Sequence, residues 1–124
     1  MSNDLRGVVV AHGRIAEALV SAAEGISGVA DVLVPVSNDG CDRDRLEERI
    51  AEAIDGRPSV VFVDLPSGSC LVAVLHRFRG ELNVKVVTGV NLAMLLDFLF
   101  HRELPLPEVA EHVASRGSGA IRVT

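Results

Sequence analysis

The stretch VVVAHG, residues 8–13, decides the fold. Three consecutive valines lead into Ala11, and His12 and Gly13 follow directly. A short, continuous apolar run that ends at a glycine is typical of a buried strand in a parallel sheet. His12 therefore stands at the end of such a strand, which is an unusual place for a titratable ring.

The rest of the chain alternates similar apolar runs with helical patterns. Strands are predicted over Gly7–Ala11, Val32–Val36, Val60–Asp64 and Val84–Thr88. Apolar residues at helical spacing predict four helices: one ending at Gly28, one between Asp42 and Asp55, one through Leu71–Phe78, and one opened by Asn91. A short fifth helix is predicted over Glu108–Ser115, and the alternating tail Gly119–Thr124 (GAIRVT) is predicted to be a strand.

This element order predicts an α/β fold. Alternating strands and helices favour a three-layer sandwich in which helices cover both faces of a mainly parallel sheet. Ligands of such sheets bind beyond the carboxyl ends of the strands, where the strand order reverses. In a 2-1-3-4 order the first and third strands are neighbours at that point. We therefore expect His12 and Asp64, which end these two strands, to face each other.

A histidine beside a carboxylate suits nucleophilic chemistry. The carboxylate fixes the tautomer by binding one ring nitrogen, and the other nitrogen keeps a free lone pair. The segment DLPSGSC, residues 64–70, then turns into a helix whose free amides and dipole favour a phosphoryl group. Ser67, Gly68 and Ser69 are candidate phosphoryl-binding residues. The combination indicates a phosphohistidine site, for which we expect neither a metal nor a cofactor.

Composition narrows the class of protein. The 124 residues are 48% hydrophobic, which is typical of one globular domain spanning 1–124. The net charge of −5, without a basic stretch, argues against nucleic-acid binding. Cys41 and Cys70 have no zinc-site spacing and suit a reducing cytoplasm. No segment has the pattern of a signal peptide or a membrane span, so we expect a cytoplasmic protein.

Three segments carry a resemblance to a known family. They are VVVAHGRIAEAL at residues 8–19, VVFVDLPSGSC at 60–70 and VKVVTGVNLAMLLD at 84–97. In this order and at these separations they resemble the mannose-family IIA domain of the bacterial phosphoenolpyruvate-dependent sugar phosphotransferase system. With the order of secondary structure, the resemblance covers nearly the whole chain.

The resemblance implies a function and partners. His12 matches the family's phosphorylated histidine, Asp64 its hydrogen-bonding aspartate, and Gly68 and Ser69 its phosphoryl-binding Gly-Ser. The donor would be the phosphocarrier protein HPr, and the acceptor a separate IIB protein that serves a membrane permease. The family also forms homodimers, in which an antiparallel C-terminal edge strand can swap between sheets, and GAIRVT would be that strand here.

The chain departs from the family pattern after the aspartate. Leu65, Pro66, Ser67 and Cys70 replace a Thr, Trp, Gly and Pro, and Leu65 removes a hydroxyl near the site. Two alternatives therefore stay open beside sugar transport. One is a regulatory IIA-like module that signals by its phosphorylation state, and the other is a subunit that passes phosphate to a dihydroxyacetone kinase.

Several of these residues also have purely structural interpretations. His12 could be a core histidine, and Asp64, Ser67 and Ser69 could be turn or capping residues. Asn91 is first of all a helix cap.

Other residues are weaker candidates. Arg14 is a cation near His12 that could seat the phosphoryl group or the donor, and Cys70 is expected to be a structural thiol. His76, His101 and His112 are expected at the surface, without acidic partners at metal-site spacing.

Overall fold

The sheet has the predicted order. The computed structural model describes residues 5–124. Its four strands, all parallel, run in the order β2-β1-β3-β4. Their bounds are β1 Arg6–Ala11, β2 Leu33–Ser37, β3 Ser59–Val63 and β4 Val84–Thr88. The predicted α/β class, parallel pairing and 2-1-3-4 order are confirmed.

Five helices cover the two faces of this sheet. They are α1 Ile15–Ser27, α2 Arg43–Ile54, α3 Ser69–Phe78, α4 Leu92–Phe100 and α5 Leu106–Gly119. Helices α1, α4 and α5 pack on one face, and α2 and α3 pack on the other. In the described part of the chain, no helix is both long and apolar enough to cross a membrane.

The run of valines in β1 is explained by burial on both faces. Val9 and Ala11 contact the layer of α1, α4 and α5, whereas Val8 and Val10 contact the layer of α2 and α3. All four side chains are fully buried. Because consecutive side chains of a strand point to opposite faces, a strand covered on both sides is apolar at every position.

Helices α2 and α4 begin at side-chain caps. The Asp42 carboxylate accepts a hydrogen bond from the backbone N–H of Arg45 at the start of α2. The Asn91 side chain accepts from the N–H of Met94 at the start of α4 and donates to the carbonyl of Gly117 in α5. Asn91 thus has a structural role, as a cap that also joins α4 to α5.

The structure corrects the predicted bounds of the last helix and does not show the predicted C-terminal strand. Helix α5 covers Leu106–Gly119 rather than Glu108–Ser115, because Gly117 packs closely against Met94 inside the helix instead of ending it. The tail, predicted as a strand from Gly119, pairs with none of the described strands. Turn-like hydrogen bonds to the carbonyls of Gly117 and Ser118 extend the helical path through Ile121, and this path competes with strand pairing. Pairing of the tail in a dimer stays a prediction.

Candidate functional site

The ends of β1 and β3 form the centre of the candidate site. Val10 in β1 is paired in register with Val63 in β3, and the N–H of Asp64 donates to the carbonyl of Val10 at 3.3 Å. The residues that follow the two strands are therefore neighbours. The structure places His12 and Asp64 side by side at the topological switch point of the sheet.

One carboxylate oxygen of Asp64 contacts both the ring and the backbone of His12. Asp64 Oδ2 lies 2.7 Å from His12 Nδ1 and accepts the backbone N–H of His12 at 2.9 Å. The other oxygen, Oδ1, is buried and has no hydrogen-bond partner among residues 5–124. Among residues 5–124, His12 thus donates all the hydrogen bonds that this carboxylate accepts.

This contact determines which ring nitrogen is free. An ionised carboxylate can only accept hydrogen bonds, so Nδ1 must carry the proton that lies between them. Nε2 then keeps its lone pair. The His12 side chain is 38% exposed, whereas that of Asp64 is 10% exposed. The free nitrogen belongs to a ring that an external group can reach, while the orienting carboxylate is sheltered.

The environment keeps Asp64 ionised. Burial acts to raise the pKa of Asp64, but hydrogen bonds from the His12 backbone and side chain, together with the charge of that ring, outweigh it. The pKa is lowered from its ordinary value as a result. The carboxylate is consequently available as a counter-charge at neutral pH.

The turn after β1 is held by the last residue of β2, Ser37, and by Asn38, which follows it. Gly13 has a left-handed φ of 59°, which glycine adopts without strain. Its N–H donates to Asn38 Oδ1 at 3.2 Å, and its carbonyl accepts the Ser37 hydroxyl at 2.8 Å. Sequence reasoning missed Ser37 and Asn38, although β2 ends at the same edge of the sheet as β1.

The segment after Asp64 turns into α3 directly beside His12. Gly68, at φ 95°, is the residue before the helix, and a Cβ placed there would lie 3.9 Å from His12 Cε1. The Ser69 hydroxyl lies 3.4 Å from His12 Nε2. Ser67 is exposed in the turn, one residue farther from the helix. The first amides of α3 lack carbonyl partners within the helix, so this end provides hydrogen-bond donors.

Cys70 lies beneath the imidazole. Its Sγ is buried and 3.8 Å from His12 Nδ1. Burial, followed by the charge of Asp64, raises the pKa of this thiol to about 11. Donor atoms of His12, Asp64 and Cys70 lie within 4.8 Å of one another, as in metal sites. A thiol with this pKa is protonated at neutral pH in the metal-free protein.

The other histidines each contact a carboxylate. His76 pairs with Glu47 at 2.8 Å, and His101 and His112 both contact Asp97. The expectation that these histidines lack acidic partners at metal-site spacing is wrong for His101 and His112, whose donor atoms lie within 4.8 Å of one another and of Asp97. The Asp97–His101 spacing of four residues was visible in the sequence, but the contacts across helices depend on the packing of α4 on α5 and of α2 on α3.

The geometry defines a class of site. A histidine has one ring nitrogen tied to an ionised carboxylate and the other free, next to the positive end of a helix. This arrangement suits a nucleophile that exchanges an anionic group.

The chain belongs to a family of phosphotransferase-system proteins. The model of the EIIA-man family, described as "PTS system fructose IIA component", matches residues 7–114. The resemblance to mannose-family IIA domains is thereby confirmed. No curated protein matches the chain in a search by sequence.

Solved structures of this family share the fold. The chain is 19% identical to the phosphotransferase component EIIA from Streptococcus agalactiae, with a TM-score of 0.88 and 96% of each chain covered. It is 21% identical to the mannose/sorbose-specific IIA subunit from Enterococcus faecalis, with a TM-score of 0.84, covering 98% of this chain and 95% of that one. A IIA protein associated with the fucose utilization operon of Streptococcus pneumoniae is 20% identical, with a TM-score of 0.79 and coverage of 96% and 93%.

Proposed function

We propose that this chain is a phosphocarrier of the sugar phosphotransferase system. It accepts a phosphoryl group from phospho-HPr on His12 and passes it to a separate IIB protein. One observation carries the proposal: Asp64 binds Nδ1 of His12 at 2.7 Å and so leaves Nε2 free at the start of α3.

The transfer requires a nucleophile and a counter-charge. The Nε2 lone pair of His12 forms the new bond to phosphorus while the bond from phosphorus to the donor's ring nitrogen breaks. The donor ring keeps that electron pair, and positive charge develops on the imidazole of His12. The Asp64 carboxylate, bound to Nδ1, stabilises this charge. Because the transferred group is loose and metaphosphate-like, alignment contributes most of the catalysis.

The phosphoryl oxygens are bound at the start of α3. Backbone amides in the first turn and the positive end of the helix dipole favour an anion there. The Ser69 hydroxyl, 3.4 Å from Nε2, turns to donate to a phosphoryl oxygen once Nε2 is occupied. Gly68 lets the chain pass close to the ring, and Ser67 offers a further hydroxyl from the exposed turn.

A protein donor fits the rim of the site better than a small molecule does. Three large apolar side chains follow the site residues closely along the chain and are exposed: Ile15 at 46%, Leu65 at 50% and Val72 at 47%. Apolar side chains of this kind favour contact with another protein. Arg14, also exposed and two residues from His12, adds a cation to the docking surface or to the phosphoryl site.

The resemblance to the family supports a proposal for the assembly and location of the chain. We expect a homodimer in which the tail, residues 119–124, adds an antiparallel strand to the partner's sheet. In this structure Ile121 is 78% exposed and Val123 is fully exposed, which leaves apolar side chains to cover. We further expect a single domain that works in the cytoplasm and associates with a membrane permease through IIB.

The decisive experiment is phosphoryl transfer to the purified chain. The wild type, incubated with enzyme I, HPr and labelled phosphoenolpyruvate, should acquire one acid-labile phosphate. His12→Ala should acquire none, because it lacks the nucleophile. His76→Ala is the matched control and should be labelled like the wild type, since His76 lies at the opposite end of α3.

The second stage identifies the acceptor. Label on the phosphorylated chain should move to a IIB protein encoded near it. Labelling of His12 without onward transfer would favour the regulatory alternative, and labelling of the His12→Ala variant would refute the assignment of His12.

A further inference from the structure

A second cluster of titratable side chains lies away from His12, at the junction of α4 and α5. His112 Nδ1 lies 2.6 Å from Asp97 Oδ2, and His101 Nδ1 lies 3.1 Å from Asp97 Oδ1. The Asp97 side chain is 7% exposed, whereas the two imidazoles are 36% and 35% exposed. The two rings are 4.4 Å apart between centroids, so both approach a single buried carboxylate from the same side of the helix pair.

The donor atoms are spaced as they would be around a metal ion. Donors of Asp97, His101 and His112 all lie within 4.8 Å of one another. Zinc bonds to histidine nitrogen and carboxylate oxygen of roughly 2.0–2.2 Å place neighbouring ligands of a tetrahedral site about 3.3 Å apart. The two shortest nitrogen–oxygen distances here, 2.6 and 3.1 Å, need only small side-chain movements to reach that spacing.

We propose that Asp97, His101 and His112 form a binding site for a divalent transition metal of the zinc class. Two imidazoles and one carboxylate supply three ligands and one negative charge, the donor set of many open zinc sites. Coordination through Nδ1 places the ring proton of each histidine on Nε2. The metal then links the end of α4 to the middle of α5.

The remaining coordination positions have access to solvent. Asp97 and His101 line an open groove of about 630 Å³ between α4 and the end of α5. Water, or a small anionic ligand, can complete the coordination there. The groove is also lined by Phe100, Arg116 and Arg122, which gives it both an apolar and a cationic side.

The metal replaces the protons shared between Asp97 and the two imidazoles, and two further contacts compete with it. His101 Nδ1 lies 2.9 Å from the backbone carbonyl of Asp97, a bond that zinc would replace. Arg116 Nε lies 3.8 Å from Asp97 Oδ1 and repels a cation, but its side chain is 68% exposed and can move into solvent. Arg116 therefore weakens the site without blocking it.

The other histidine clusters are weaker candidates for zinc. The His12 cluster combines a single histidine with Asp64 and the buried thiol of Cys70, so it offers one imidazole where the Asp97 cluster offers two. His76 has Glu47 as its only described ion-pair partner, so it offers one histidine instead of two. His12 and His76 therefore serve as matched control positions for the zinc-binding test.

The test is zinc titration by calorimetry, with thermal unfolding as a second measurement. The wild type should bind one zinc ion and melt at a higher temperature when zinc is present. His112→Gln and His101→Gln should each weaken binding by about tenfold or more and remove the thermal shift. His12→Gln and His76→Gln should bind zinc like the wild type, and Arg116→Gln should bind it more tightly.

The His112 side chain is partly exposed, so its substitution is the most informative variant in this test. Asp97→Asn risks misfolding, because it alters a buried carboxylate that contacts His101, His112 and Arg116, so the histidine variants are decisive. Absence of saturable zinc binding by the wild type would overturn the proposal. Unchanged binding by His112→Gln, or loss of binding by His12→Gln, would also overturn it.

Discussion

The two ends of α3 carry nearly identical histidine–carboxylate pairs. At the first end, His12 Nδ1 lies 2.7 Å from Asp64, and at the last turn, His76 Nδ1 lies 2.8 Å from Glu47. The carboxylate side chains are similarly buried, at 10% and 8% exposure. By the nitrogen–oxygen distance and the burial of the carboxylate, the two pairs are hardly distinguishable, although the His76 side chain is more exposed than that of His12.

Their surroundings give them different chemistry. His12 lies beside the start of α3, where free amides and the positive end of the dipole favour an anion. His76 lies on the last turn, where the negative end of the dipole favours a cation. Glu47 is also 3.7 Å from Arg43, so the second pair is an ion-pair network that joins α2 to α3. The position of a pair relative to the helix ends therefore decides whether its surroundings favour an anion or a cation.

The test with the largest expected effect replaces the carboxylate of each pair, at either end of α3, with a neutral amide. Asp64→Asn should slow phosphoryl transfer to His12 about a hundredfold, because the positive charge that develops on the ring loses its counter-charge. Glu47→Gln should leave the rate unchanged. Single-turnover labelling by phospho-HPr measures both. Equal rates for the two variants would show that the pair at the start of α3 has no special role.

A second test compares two glycines with similar positive φ angles. Gly68 has φ 95° and Gly80 has φ 87°, so alanine at either position should cost about 1–3 kcal/mol of stability through backbone strain. Only Gly68→Ala should also slow transfer, by about tenfold, since it displaces the amides beside His12. Urea unfolding and labelling rates measure the two effects. A matching loss of transfer in Gly80→Ala would mean that general destabilisation explains both.

The smallest expected effect is on stability in acid. The pKa of Asp64 is lowered in the folded state, so its ionised form stabilises the fold above its ordinary value of 3.8. That stabilisation is lost as the pH falls through the folded-state pKa. The difference in melting temperature between the wild type and Asp64→Asn should therefore shrink below about pH 4. A difference that grows in acid would contradict the direction of the shift.

The sequence predicts this sheet well because its strands are buried on both faces. The apolar runs at Gly7–Ala11 and Val84–Thr88 place β1 and β4 to within one residue, and the parallel order follows from alternation with helices. The same rule brings His12 next to Asp64, since residues that end neighbouring parallel strands share one edge.

Features that depend on packing between helices were not predictable. The glycines near the C-terminus favoured an early end of α5, yet Gly117 is buried against Met94 and continues the helix. The convergence of His101 and His112 on Asp97 likewise depends on how α4 packs on α5. Local sequence patterns contain no information on such contacts.

The central claim is that Asp64 holds Nδ1 of His12 and leaves Nε2 to receive the phosphoryl group. Nitrogen-15 NMR of the histidine rings, before and after phosphorylation by phospho-HPr, tests it most directly. The account predicts a protonated Nδ1 in the free protein and a phosphorus–Nε2 bond in the phosphorylated one. A phosphoryl group on Nδ1 of His12, or on any other histidine, would contradict it.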